Sequence, residues 1–344
     1  MLGINIGIDL GTTAVVIFVQ GKGIVLSEPT AAAYNSKNGK MLAVGKKAYN
    51  MLGKNPSSIR VVLPIREGVV SDFSAMQNIL RYHLQKICGN MVFKPNILIC
   101  LPSTVTNLEK RTILDLAISA GAGKACLIEE PLAAALGAGV EINRPKGVMV
   151  VDIGGGSADI AVLTMGSISV SKSIKTAGNA FDAAIMRYFR RERDVIIGDR
   201  TAEKIKMKIG CAYLRHAELA IQVKGKNYIT GMPAKLEVSS TDIYLAIREQ
   251  LELLCDAVRS VLESTPPELS ADIAESGIIL TGGGALLRGM DELIKQKTGV
   301  KTSVAEEPLL CVAKGIGKVL KNSDMLSQSG LMFKTAEEIR GYKD

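Results

Sequence analysis

This chain of 344 residues has no tryptophan, only two histidines, His83 and His216, and six cysteines that stand singly: Cys88, Cys100, Cys126, Cys211, Cys255 and Cys311. There is no CxxC pair and no histidine near a cysteine, so neither a zinc site nor a disulfide framework finds its spacing here. Most of the thiols sit in apolar runs such as Ile97-Leu98-Ile99-Cys100-Leu101, where cysteine behaves as a small hydrophobe, and a reduced cytoplasmic protein is expected. Long hydrophobic stretches are missing as well, none approaching the ~20 apolar residues of a membrane-spanning helix. The start lacks a basic leader and reaches Asp9 too soon for an apolar signal region, so no secretory signal is expected. The net charge of +8 is spread along the chain without a concentrated stripe, and nucleic acid is not an expected partner.

What is present is enough apolar material, 47% of residues, for two sizeable cores, together with a repeat. Ile8-Asp9-Leu10-Gly11-Thr12-Thr13 leads into a second β-branched run that ends at a turn around Gly23. Val151-Asp152-Ile153-Gly154-Gly155-Gly156-Ser157 does the same and ends at Gly166, with Asp9 and Asp152, Gly11 and Gly154, and Gly23 and Gly166 all 143 positions apart. Each segment reads as strand, glycine turn and returning antiparallel strand, and the repeat predicts two like-folded lobes facing a shared cleft. Between them the pattern alternates: a buried strand at Ile97 to Leu101, a helix from Thr106 to Ala120 with Leu108, Ile113, Leu116 and Ala117 on its apolar side, and a short strand at Leu127-Ile128. A small-residue helix from Leu132 to Gly139 opens at Pro131, and Arg144-Pro145-Lys146 reads as the linker into the second lobe. That lobe shows helical patterns over 182–189, 202–209 and 242–263, and a strand at Ile278 to Leu280 running into Gly282-Gly283-Gly284.

Three glycine turns after apolar strands suit phosphate binding, because glycine lets several backbone N–H groups point inward unobstructed. Thr12 and Thr13 add hydroxyls to the first, and Asp9 and Asp152 close the strands ahead of the first and second. Carboxylates beside phosphate repel it unless a cation intervenes, so the pair points to bound Mg²⁺, held directly or through water. The plainer alternative is that each aspartate caps its own turn. The third turn, Thr281-Gly282-Gly283-Gly284-Ala285-Leu286-Leu287, is expected to lead into a helix and to let the backbone approach a flat nucleoside. Neither the Walker pattern nor the dinucleotide fingerprint fits any of the three.

Asp9-Leu10-Gly11-Thr12-Thr13, Asp152-Ile153-Gly154-Gly155-Gly156 and Thr281-Gly282-Gly283-Gly284-Ala285 resemble the two phosphate motifs and the adenosine motif of actins, DnaK-type chaperones and sugar kinases. Ile128-Glu129-Glu130-Pro131-Leu132 is similar to the connecting motif of that superfamily. Gly23 to Pro29, Pro64 to Phe73, Ala202 to Lys206 and Gly283 to Arg288 narrow the resemblance, over nearly the whole chain, to the bacterial actins of the MreB family. It implies an α/β actin-like ATPase fold, two duplicated lobes around a nucleotide cleft. A core subdomain (1–31 and 66–143, with 315–344 packing back on it) and a small one (32–65) would form the first lobe. A core (144–181 and 246–314) and a small subdomain (182–245) would form the second.

The resemblance further implies ATP and Mg²⁺, with Asp9 and Asp152 as metal residues. The nucleotide contacts it implies are Gly11, Thr12, Thr13 and Ala14; Gly154, Gly155 and Gly156; Glu203 and Lys206; and Gly282, Gly283, Gly284, Ala285 and Leu286. Glu130 matches the residue that orients the attacking water, with Glu129 as its neighbouring rival, and Ser157 matches an assisting threonine. Glu203 and Lys206 also read as an exposed i, i+3 ion pair. Ser157-Ala158-Asp159 stands where the family commonly has Thr-Thr-Glu, and Thr13-Ala14-Val15 departs from the usual turn exit. The amino-terminal amphipathic helix of some members is missing from the sequence. The implied activity is ATP hydrolysis coupled to homopolymeric filaments at the inner face of the membrane, where they organise the cell-wall elongation machinery and so determine rod shape. Met91, Val92 and Phe93 offer a lipid-facing loop tip beside Lys94, or else pack into the lobe. The competing readings are a small-molecule kinase sharing the cleft and a chaperone ATPase, although neither a second polar substrate cluster nor a peptide-binding domain is visible.

Overall fold

The computed structural model describes residues 4–89, 94–322 and 332–340. Two five-stranded sheets carry it. In the first, the order is Lys124–Glu129, Asn96–Leu101, Asn5–Leu10, Ala14–Val19, Gly23–Pro29; in the second it is Thr302–Val304, Ile278–Thr281, Val148–Ile153, Ala158–Thr164, Ser167–Ile174. Each sheet is an antiparallel three-strand meander joined to two parallel strands, so one sheet maps onto the other strand for strand. The repeat in the sequence is thus a repeat in topology, and Asn5 and Val148, which open the two first strands, are again 143 residues apart. Every residue of Val148–Ile153 is buried, as its unbroken apolar run requires of a strand covered on both faces.

Helices form where local chemistry starts and stops them. Thr106 and Glu109 make a reciprocal capping box at the head of Asn107–Ala120, and Gly121, at φ 125°, ends it. Leu108 does not join the apolar side as expected: it is 73% exposed, and Leu114 and Ala120 are buried along with Ile113, Leu116 and Ala117. A first-turn residue on the capped end lies outside the face that meets the sheet. The helix opened by Pro131 spans Glu130–Gly137, as long as the pattern suggested but begun two residues earlier, with Gly139 at positive φ beyond it. After the third glycine turn comes a single 3₁₀ turn, Gly283–Leu286, and the helix follows only at Met290–Thr298.

Smaller sheets rise from each lobe. Ala32–Asn35, Met41–Val44 and Ile59–Val62 form one, with the short helix Lys46–Tyr49 packed on its small-residue face. Val195–Ile196, Ala220–Asn227 and Pro233–Ser239 form the other, beside the helices Gly178–Glu192 and Asp199–Ile209. Between the lobes lies a third core in which Glu130–Gly137 crosses Cys311–Lys321, flanked by Phe18 and Leu98 of the first sheet and Val150 and Leu163 of the second. The late helix therefore returns to the first lobe. The crossing depends on glycine, because a Cβ on Gly137 would come within 1.7 Å of the Cys311 carbonyl oxygen and one on Gly315 within 1.8 Å of that of Ala133.

Candidate functional site

The two glycine turns meet face to face. A Cβ on Gly155 would lie 1.8 Å from Thr13 Oγ1, and one on Gly156 would lie 2.4 Å from Thr12 Oγ1 and 2.9 Å from the Gly68 nitrogen. Only glycine permits this approach, which is the property a phosphate cradle needs. The Gly68 N–H donates to Thr12 Oγ1 at 3.1 Å, so the hairpin Ile65–Arg66/Val69–Val70 closes a third side. The first turn is held from behind: Thr30 Oγ1 donates to the Gly11 carbonyl at 2.7 Å, and the Thr30 N–H to that of Thr13 at 3.0 Å. The second is tied to the helix Gly178–Glu192 through Gly178 and Asn179 N–H groups donating to the Gly154 and Gly155 carbonyls. Ala14 begins the returning strand, and Ser157 lies beside Gly68, where an added Cβ would be 3.0 Å from its hydroxyl. The sequence assigns no role to Gly68, which stands within the Pro64 to Phe73 segment, or to Thr30, because their roles depend on contacts 56 and 19 residues away.

Beneath the turns, four carboxylates gather, and among the described residues no lysine or arginine pairs with any of them. Burial lifts Asp9 to about 6, eased by the Cys100 thiol that donates to its Oδ1 at 3.4 Å. Burial lifts Asp152 to about 7, with the charges of Asp159 and Asp9 adding to the rise and Thr281 Oγ1, donating at 2.7 Å, opposing it. Glu130 is pushed well above the carboxylate range by burial and then by Asp159, Asp152 and Asp9. Asp159, 1% exposed, is raised by burial and accepts from the Ser103 N–H of the other lobe at 3.2 Å. Sequence reasoning noted Asp159 only as a departure from a family pattern, since its neighbours come from separate segments. Glu129 has a different setting: it is half-buried, raised by burial and lowered by Lys110, outside this group.

Such a cluster suits a hard divalent cation, which prefers oxygen donors and would relieve the mutual repulsion. The ligand atoms of Asp9, Cys100 and Glu130 all lie within 4.8 Å of one another, while Asp152 is engaged by Thr281.

The third turn backs the second. A Cβ on Gly282 would meet the Ile153 carbonyl oxygen at 2.4 Å, and one on Gly284 the Ile153 side chain at 2.2 Å. Gly283 is less confined, with only Leu309 nearby at 3.1 Å; Ala285 is buried and Leu286 exposed. On the helix Asp199–Ile209, Glu203 and Lys206 do not pair with each other. Lys206 Nζ donates to the Gly178 carbonyl at 2.7 Å and pairs with Asp182 at 2.9 Å, whereas Glu203 accepts from the Tyr49 hydroxyl of the first lobe at 2.7 Å. Met91, Val92 and Phe93 lie outside the described residues. Among the described residues, no helix is long and apolar enough to cross a membrane.

Two homologous sheets whose glycine turns oppose each other above a carboxylate cluster define an actin-like nucleotide-binding fold. The chain belongs to the MreB/Mbl family, whose model, described as MreB/Mbl protein, matches residues 3–328. It is 45% identical over 332 residues to the cell shape-determining protein Mbl of Bacillus cereus, covering 96% of this chain and all of that protein. Its fold matches MreB5 of Spiroplasma citri bound to ADP with a TM-score of 0.90 and 38% identity, over 95% of this chain and 98% of that one. A structure of the MamK double helical filament matches with a TM-score of 0.80 over 93% of this chain and 99% of that one; at 19% identity this likeness concerns the fold alone.

Proposed function

We propose that the chain is a cytoskeletal ATPase that polymerises into filaments at the inner face of the membrane and organises cell-wall synthesis to set rod shape. The observation that carries the nucleotide reading is the meeting of the two turns at Thr13 and Gly155 over four carboxylates that pair with no lysine or arginine among the described residues. In this reading Gly11, Thr12, Thr13, Ala14 and Gly154 to Gly156 bind the phosphates. Glu203, Lys206 and Gly282 to Leu286 surround the nucleoside, and Asp9 and Asp152 hold Mg²⁺, directly or through water. When bound, Mg²⁺ would neutralise phosphate charge. Glu130 orients the attacking water and Ser157 assists.

The subdomain limits follow the same reading: 1–31 and 66–143 with 315–344, 32–65, 144–181 and 246–314, and 182–245. Membrane contact is assigned to Met91, Val92 and Phe93. Family membership favours this function over a small-molecule kinase: the Mbl relative is a cell shape-determining protein, and the S. citri relative was solved with ADP and with AMPPNP.

The test is sedimentation and light scattering over a concentration series with ATP, ADP or no nucleotide, in the presence of anionic vesicles. ATP-promoted linear polymers above a critical concentration are expected. A chain that stays monomeric at tens of micromolar in every state would overturn the filament assignment.

A further inference from the structure

Besides the meeting of the turns, the two lobes touch through a compact set of side chains. Tyr49 and Asn50, at the end of the short helix on the first lobe's small sheet, reach the helix Asp199–Ile209 of the second lobe. The Tyr49 hydroxyl donates to Glu203 Oε2 at 2.7 Å, Arg200 donates to the Asn50 carbonyl and to Asn50 Oδ1, both at 3.0 Å, and the Arg200 guanidinium lies 5.4 Å from the centre of the Tyr49 ring. The partners are 150 or more residues apart in the chain, so no local preference brings them together. Arg200 uses both ends of its fork on one residue, a geometry that lysine could not reproduce.

The place of these contacts gives them meaning. The same helix meets the second glycine turn's support at its other end, where Lys206 Nζ binds the Gly178 carbonyl and Gly178 in turn binds the Gly154 carbonyl. Arg200 and Lys206 are six residues apart, roughly 9 Å along a helix. The helix thus spans from the phosphate turn to a side-chain bridge across the opening, with Glu203 between. An ion pair between the lobes, Lys175 with Glu67, is exposed on both sides and holds little.

We propose that Tyr49, Asn50 and Arg200, with Glu203, form a clasp that gates the nucleotide site, so that a bound nucleoside triphosphate leaves only when the clasp parts. This rests on the nucleotide reading above. Glu203 then serves two partners, the nucleoside and the Tyr49 hydroxyl, which ties occupancy of the site to the closure of the small sheets. A ligand can shift such an opening only through its different affinity for the two states.

The experiment is stopped-flow release of a fluorescent ATP analogue from the full chain with Mg²⁺, held below its polymerisation threshold and chased with excess ATP. Tyr49→Phe removes one hydroxyl and keeps the ring; Arg200→Ala removes the fork. Each is expected to speed release roughly tenfold, the change that accompanies a loss of ~1.4 kcal/mol in the barrier. Arg215→Ala, a surface arginine away from the clasp, is the control and should match the parent chain. Release rates within twofold of the parent in both clasp variants would overturn the gate and leave nucleotide binding standing. A parent chain that shows no saturable binding of the analogue would overturn the nucleotide reading, and the gate with it.

Discussion

Asp9, Glu130, Asp152 and Asp159 lie in a buried region that penalises their charged forms, and around Glu130 and Asp152 neighbouring carboxylates add repulsion, so the nucleotide-free protein carries an electrostatic cost that grows as they ionise. The direction follows from their raised pKa values: the native state binds more protons than the unfolded chain, so their contribution is complete below about pH 4 and is lost as pH rises. For Asp9 and Asp152 that loss runs through about 6 and about 7. Thermal melts without metal or nucleotide should show this fall between pH 5 and pH 8, and Asp152→Asn should flatten it. The same variant should gain on the order of 1–3 kcal/mol at pH 8 without ligand, judged against 1.36 kcal/mol per pKa unit, while binding Mg²⁺-ATP more weakly. A wild-type melting profile that is level with pH would count against the raised proton affinity of these buried carboxylates. Glu130→Ala is expected to keep nucleotide binding and slow phosphate release by about 10²-fold, the usual scale for a positioned base. Glu129→Ala, facing Lys110, should stay within a few-fold. Reversed outcomes for the two glutamates would move the assignment by one residue.

At the scale of elements, the crossing of Glu130–Gly137 with Cys311–Lys321 joins the lobes, and it leaves no room for a methyl group. Gly137→Ala and Gly315→Ala would each press a Cβ against backbone carbonyl oxygen, which cannot swing aside as a side chain can. Each should cost more than about 3 kcal/mol in urea unfolding, above the ordinary range for a single substitution. Gly317→Ala meets the Phe18 ring, at 2.6 Å, and should cost less because a ring can shift. Equal losses at all three positions would show that the crossing relaxes as a whole. Helix Glu130–Gly137 was legible from Pro131 and its run of small residues, but its partner was not, since the need for glycine at 137 and 315 arises from contacts across the chain.

For the whole molecule, filament assembly needs unlike faces that meet without closing a ring, and a cleft that biases them. Apolar side chains stand exposed on the described surface, Ile229 at 74%, Met207 at 77% and Met232 at 64% among them. On the membrane side, replacing Met91 and Phe93 with serine is expected to abolish co-sedimentation with anionic liposomes and leave ATP binding unchanged. Undiminished lipid binding would assign those side chains to another role. The two tests separate polymerisation, read by light scattering without lipid, from attachment.

The sequence by itself determined the duplicated lobes, the glycine turns and the aspartates that end the strands before them, because these are local patterns: β-branched runs, bends that demand glycine, and an offset of 143 positions. It also pointed to Glu130, through the resemblance of Ile128 to Leu132 to the superfamily's connecting motif. Only the tertiary structure decided which groups share a site. It set Thr13 against Gly155, brought Asp159 into the company of Glu130, turned Glu203 toward Tyr49 instead of Lys206, and left Leu108 in solvent. Each of these depends on distances between segments far apart in the chain, and burial, which sets both the charge states and the packing cost, exists only once those segments have met.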